Sequence, residues 1–243
     1  MKLLEWEGAP DSYRVVFTTR LGGVSEGAFE SLNLGILTDD DPERVVENRR
    51  RLCDSVDADA GTATMAWQVH GSAVTKAKPK GILERTVFDQ CDGLWSEQPG
   101  QAMALVTADC FPVAIARVPD RGPGPGLCVL HVGWRGLLEG IVASGIGALG
   151  DGPLTAAIGP GIGACCYEVG NEVADPFRER FGDDVVVDGR LDLGGATERA
   201  LRESGVASVE RSHHCTACEP ELFFSHRRDR GRTGRQGVVA YIR

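Results

Sequence analysis

Between Ala102 and Val132 the chain is almost continuously apolar. "AMALVTADC" and "PVAIARV" are followed, across the Pro/Gly-rich stretch "VPDRGPGPG" at Val118–Gly126, by "LCVLHV". Short β-rich runs of this kind suit strands covered on both faces. Covering two faces of a sheet requires further layers, which selects a mixed α/β or α+β fold with a large sheet core and helices outside. The Pro/Gly stretch reads as a hairpin-like insertion between two of these strands. No repeat, charge block or Ser/Gly linker divides the remainder, so residues 1–243 read as a single domain.

The other elements are marked by local chemistry. "DDPERVVENRRRLCDSV" sets Asp before Pro42, a helix start, with Val45, Val46 and Leu52 on one side. "RGLLEGIVASGIGALG" predicts one helix ending at Gly150, and further helices are expected at Asn171–Phe181 and Ala196–Ser204. Strands are expected at Tyr13–Thr18, Thr64–Gln68, Leu154–Ile158, Val206–Glu210 and Gly237–Ile242.

Charge and cysteine usage narrow the class. Lys+Arg number 26 against 35 Asp+Glu, a formal net charge of −9, which argues against nucleic acid or an anionic membrane as partner. A few arginines can still build a local pocket for a small anion. The opening "MKLLEWEGAP" has no apolar core of a signal peptide, and no run approaches a membrane span. The 8 cysteines therefore read as reduced thiols of a cytoplasmic protein, beside only 5 histidines.

Three familiar motifs fail on context. "GVSEG" at Gly23–Gly27 lacks the strand and helix that flank a nucleophile elbow. "GPGIGA" at Gly159–Ala164 follows a strand but opens no helix, so it reads as a tight turn with close backbone approach rather than a dinucleotide fingerprint. "HHCTAC" at His213–Cys218 holds a C-x-x-C pair with no second pair nearby in sequence, and reads as a turn with semi-buried thiols.

A constellation remains. "MAWQVHG" sets His70 at a strand end, "LVTADCFPV" sets Asp109 and Cys110 at a break between strands, and "LCVLHVGWRG" sets His131 where a strand meets a helix. Strand ends of one sheet converge in space even when far apart in sequence. Two imidazoles and a thiolate suit zinc, with copper the other candidate, and leave a fourth position for water or substrate.

At these residues the chain resembles the laccase-domain family, also called the multicopper polyphenol oxidase or purine nucleoside phosphorylase family. The resemblance runs through "TTRLGGVSEGAFESLNLG", "QVHG", "TADCFPV", "HVGWRG", "AAIGPGIGACCYEVG" and "CTACEPELFFSHRRDRGRTGRQG". Small departures are Val132, where the family pattern has Ala, and "CDGLWS" where "DALVT" is commoner. The resemblance implies a four-layer α/β/β/α sandwich similar to the cytotoxic necrotizing factor-like cysteine hydrolases. It also implies a metal triad at His70, Cys110 and His131, and phosphorolysis of adenosine, inosine, guanosine and S-methyl-5'-thioadenosine with a side deamination of adenosine.

Phosphate in an acidic protein calls for arginines. Arg20, Arg135 and the cluster Arg227, Arg228 and Arg235 lie in the matching blocks, and Asn33, Gln68, Ser225 and His226 are candidate partners for ribose or base. Asp109 and Glu168 are the candidate proton shuttles. Competing readings are a cysteine-nucleophile amidase or hydrolase of peptidoglycan-precursor type, with Cys110 as nucleophile and His131 as base, a copper polyphenol oxidase, and a non-enzymatic metal-binding protein.

Overall fold

The computed structural model describes residues 1–83, 88–118 and 123–243. Two large sheets organise it. The first has five strands in the order β1 (Leu3–Glu5), β2 (Tyr13–Thr18), β13 (Gln236–Ile242), β6 (Met103–Thr107) and β3 (Thr64–Met65). The second has six, in the order β12 (Ser208–Arg211), β9 (Leu154–Ile158), β7 (Phe111–Arg117), β8 (Leu127–Val132), β5 (Gly93–Ser96) and β4 (Val74–Lys76). β10 (Val186–Val187) and β11 (Arg190–Leu191) form a small ribbon. β7 and β8 pair antiparallel as expected for a hairpin, and residues 119–122 of the anticipated Pro/Gly turn lie outside the described residues.

The apolar runs are explained by period-two alternation between two buried faces. On β7, Val113 and Ile115 enter one core while Ala114 and Ala116 enter another. On β8, Cys128 and Leu130 face one way and Leu127 and Val129 the other. The core shared by the two sheets joins these small residues to Tyr13, Val15, Phe17, Leu105 and Val238.

Helices cover the outer faces. α1 (Pro42–Ser55) starts where the Asp41 carboxylate accepts the Glu43 N–H at 2.9 Å, and its Leu52 and Cys53 pack on Val16 and Val239 of the first sheet. On the second sheet lie α2 (Trp134–Leu138), α3 (Ile141–Leu149), α4 (Asn171–Phe181) and α5 (Leu193–Glu203). The layers therefore run helix, sheet, sheet, helix. Among the described residues no helix is long and apolar enough to cross a membrane.

Two expectations change. The single helix predicted from Arg135 to Gly150 is two, because Gly140 takes φ +90° and breaks the run. The strand predicted over Thr64–Gln68 stops at Met65, and side-chain pairing takes over: the Gln68 amide donates to the Val106 carbonyl at 2.7 Å and accepts the Val106 N–H at 2.9 Å. The segment that follows is thereby released into a loop.

The glycines of "GPGIGA" do mark close approach. A Cβ on Gly161 would stand 2.5 Å from the Phe111 ring, and one on Gly159 2.3 Å from Phe17. Gly161→Ala should destabilise the protein by about 1–3 kcal/mol, because Phe111 is buried in the core and has little room to yield. Urea unfolding of the two proteins, compared at the same slope, measures this.

Candidate active site

The site is built where the chain crosses between sheets. β6 of the first sheet ends at Thr107, residues 108–110 turn, and β7 of the second begins at Phe111. Asp109 takes φ +88° in this turn and is anchored on both oxygens, accepting the Thr216 hydroxyl at 2.6 Å and the Arg227 N–H at 2.7 Å. Cys110 is thus presented at the start of β7. Because β7 and β8 are antiparallel, that start lies beside the end of β8, which carries His131 opposite Pro112.

His70 arrives on the loop released after β3, with φ +63°. What holds it there is Asp92, immediately before β5 and fully buried. One Asp92 oxygen accepts the N–H of His70 at 2.9 Å and the other those of Val69 and Gly71 at 3.1 and 2.8 Å. The same carboxylate lies 2.7 Å from His131 Nδ1, which fixes that ring with Nε2 free to act elsewhere. Sequence reasoning missed Asp92; its one local signal is an acid directly ahead of an apolar strand in "CDGLWS".

The donor atoms of His70, Cys110 and His131 lie within 4.8 Å of one another, and the two imidazoles meet edge to face with centroids 4.8 Å apart. Burial would raise the Cys110 thiol, but the charge and hydrogen bonds of His131 and His70 outweigh it and bring its pKa down to about 6. Burial would likewise lower His131, yet Cys110 and Asp92 raise it to about 9. One soft sulfur and two nitrogens with room for a fourth ligand fit a zinc-class ion.

The triad opens into a pocket of about 510 Å³, within the range of small-molecule sites. Trp67, Phe88, Trp134 and Tyr167 give it aromatic walls, with Trp67 45% exposed. Arg49, Arg227, Arg235 and His226 bring positive or hydrogen-bonding groups. The Thr107 hydroxyl is buried in the wall without a hydrogen-bond partner among the described residues, a polar group left for a ligand.

The expected substrate residues separate. His226, Arg227 and Gln68 line the pocket, although the Gln68 amide is committed to Val106 and Arg227 donates to the Glu168 carbonyl at 2.8 Å while covering the Tyr167 ring. Arg20 does not line it: its guanidinium donates to the carbonyls of Glu30 and Pro220 and stacks on Phe224. Arg135 lies exposed on α2 over Trp134. Asn33 is fully buried, its amide spent on Thr38 and Asp40 and its oxygen on Gly35 and Arg235 N–H groups. Ser225 is fully buried and accepts the Arg228 N–H. Turn and loop chemistry claims Arg20, Asn33 and Ser225, and an outward helix face claims Arg135. Glu168 is exposed and faces Arg190 rather than the pocket, whereas Asp109 lines the pocket with both its oxygens accepting hydrogen bonds.

Arg49 and Arg235 take the places that Arg20 and Arg135 do not. Arg49 is almost fully buried, donating to the Leu34 and Ile82 carbonyls, and burial lowers its pKa to about 10. Arg235 is held by the carbonyls of Thr233 and Gly234. Among the described residues both guanidiniums bond carbonyls and neither makes an ion pair, so both leave positive charge for an anion in the pocket.

Residues 14–243 match the family described as multi-copper polyphenol oxidoreductase laccase. Curated relatives include a purine nucleoside phosphorylase of Pseudomonas aeruginosa, 35% identical over 96% of this chain and 95% of its own length. The purine nucleoside phosphorylase YfiH of Escherichia coli is 32% identical over 96% and 95%. Among solved structures, a Bacillus licheniformis hypothetical protein YfiH superposes with a TM-score of 0.91 at 34% identity, covering 99% of this chain and 96% of that one. YlmD from Geobacillus stearothermophilus superposes at 0.87 and 32% identity, covering 100% and 98%.

Proposed function

Since this chain belongs to the multi-copper polyphenol oxidoreductase laccase family, whose curated relatives carry the name purine nucleoside phosphorylase, we propose that it phosphorolyses purine nucleosides in the pocket above His70, Cys110 and His131. Adenosine, inosine, guanosine and S-methyl-5'-thioadenosine are the substrates, and deamination of adenosine is a side activity. The observation that carries this reading is one cavity that joins aromatic walls, two arginines that make no ion pair among the described residues and the His–Cys–His triad. Residues 1–243 act as one domain, in the cytoplasm, on small molecules rather than nucleic acid or membrane.

Each part of the pocket answers a need of the reaction. The flat purine stacks on Trp67, Phe88 or Tyr167, where contact area is large and sequence of polar groups matters little. Phosphate is held by Arg235 and Arg49, with His226 at the rim. Thr107 offers a hydroxyl to the ribose or base. Attack at the ribose carbon passes through an oxocarbenium-like state, and charge developing on the departing purine must be neutralised. His70, Cys110 and His131 would hold a zinc ion, or copper, which supplies Lewis acidity at the pocket floor. Asp92 keeps His131 in the tautomer and orientation this requires.

Purified protein should release free base from inosine or adenosine only when phosphate is supplied. Arg235→Ala should raise the KM for phosphate roughly 10–100-fold with a smaller change in the KM for nucleoside, as expected for losing a charge-assisted contact.

One observation favours a second reading. Cys110, His131 and Asp92 also form a thiol–imidazole–carboxylate relay, the arrangement of a cysteine nucleophile. Phosphate-independent turnover of an amide, blocked by thiol alkylation and indifferent to chelators, would replace the phosphorylase reading with this one.

A further inference from the structure

The C-x-x-C of "HHCTAC" was expected to lack a second pair, and in sequence it does. In space it has one. β9 delivers the chain into a turn at Gly163–Tyr167, closed by Cys166 and Tyr167 N–H groups on the Gly163 carbonyl at 3.0 and 3.1 Å. Gly161 pairs with Cys215 as a parallel bridge, laying this turn against the Cys215–Glu219 turn, itself closed by the Cys218 N–H on the Cys215 carbonyl at 3.1 Å. The sulfurs of Cys165, Cys166, Cys215 and Cys218 then lie within 4.8 Å of one another.

We propose that Cys165, Cys166, Cys215 and Cys218 form a second, structural metal site, a tetrathiolate for a zinc-class divalent ion that fastens two loops behind the pocket. The Cys218 sulfur stands 3.5 Å from that of Cys165 and 3.3 Å from that of Cys166. Four sulfurs placed tetrahedrally at the ~2.3 Å Zn–S bond length are about 3.8 Å apart, so small rotations of the side chains bring this set onto the ion. The Gly163 N–H donates to the Cys215 sulfur at 3.2 Å, a contact that supports a sulfur carrying negative charge. Four protein ligands close the coordination sphere, the structural pattern, whereas the His70–Cys110–His131 set leaves a position open.

The site's place in the fold says what it holds. The first turn carries Tyr167 into the pocket wall. The second carries Thr216, whose hydroxyl anchors Asp109 beside Cys110 and whose carbonyl accepts from Arg228 at 2.7 Å. The ion would thus stiffen the back of the active site without touching substrate.

Elemental analysis of the purified full chain should find two metal equivalents, falling to one in Cys215→Ser/Cys218→Ser and to one in Cys110→Ser. Cobalt reconstitution of Cys110→Ser should show the sulfur-to-metal charge-transfer bands of a four-thiolate tetrahedral site. Removal of this ion should lower the melting temperature by on the order of 10 °C. A Cys110→Ser protein that takes up no zinc or cobalt overturns the proposal. So does an intact mass two hydrogens below that of the reduced chain with Cys218 disulfide-linked to Cys165 or Cys166, which would make the cluster a redox pair.

Discussion

Cys110→Ser is expected to lower phosphate-dependent base release by three orders of magnitude or more, which corresponds to about 4 kcal/mol of lost transition-state stabilisation. Serine keeps the volume but not the chemistry. Its hydroxyl stays protonated where the thiol, beside His131 and His70, ionises near pH 6, and it is a poor ligand for a soft ion. Compared metal-free, the two proteins should differ in stability by less than ~1 kcal/mol, because Cys110 is partly exposed and the exchange opens little space. Steady-state kinetics with inosine, beside thermal unfolding, separates the two effects. A variant that keeps its kcat within threefold would remove the thiol from the chemistry in the phosphorylase and the hydrolase readings alike.

The second large effect belongs to Asp92, which sequence reasoning missed. Asp92→Ala removes an acceptor from the N–H groups of Val69, His70 and Gly71 and from His131 at once; Asp92 and His131 are buried, while Val69 and His70 lie exposed on the loop. Leaving the buried His131 without its partner and the loop without its anchor should cost about 1–3 kcal/mol of stability. The loop that holds His70 at φ +63° loses its anchor, so metal affinity and kcat should each fall a further 10–100-fold even where the protein remains folded. Asp92→Asn keeps the shape and one acceptor oxygen and should recover part of the stability while kcat stays low. An alanine variant with unchanged melting temperature and kcat would show that the carboxylate positions neither histidine.

The apolar runs from Ala102 to Val132 were enough to require sheets buried on both faces, and the alternation of Val113 and Ile115 against Ala114 and Ala116 shows the reason. Helix starts were readable wherever the signal is local, as with Asp41 and Pro42. The break at Gly140 was not, because a glycine inside a helical pattern is tolerated as often as it interrupts. The triad was legible as residue types at strand ends and through the family resemblance. Its convergence depends on β7 and β8 being antiparallel, which the positions of His70, Cys110 and His131 along the chain do not state.

What surrounds the triad divides the same way. Arg20, Asn33, Arg135 and Ser225 sit in distinctive blocks, yet a carbonyl, a buried amide network, an outward helix face and a turn claim them. Arg49 carries no motif and reaches the pocket only because α1 lays one face on the first sheet. Cys165 and Cys166 meet Cys215 and Cys218 only through the parallel bridge of Gly161. Which segments must be buried, and which side chains have the chemistry to bind metal or anion, can be read along the chain, since both are properties of single residues and their near neighbours. Tertiary structure decided which of those side chains share a cavity, because that depends on strand order and on what else competes for each hydrogen bond.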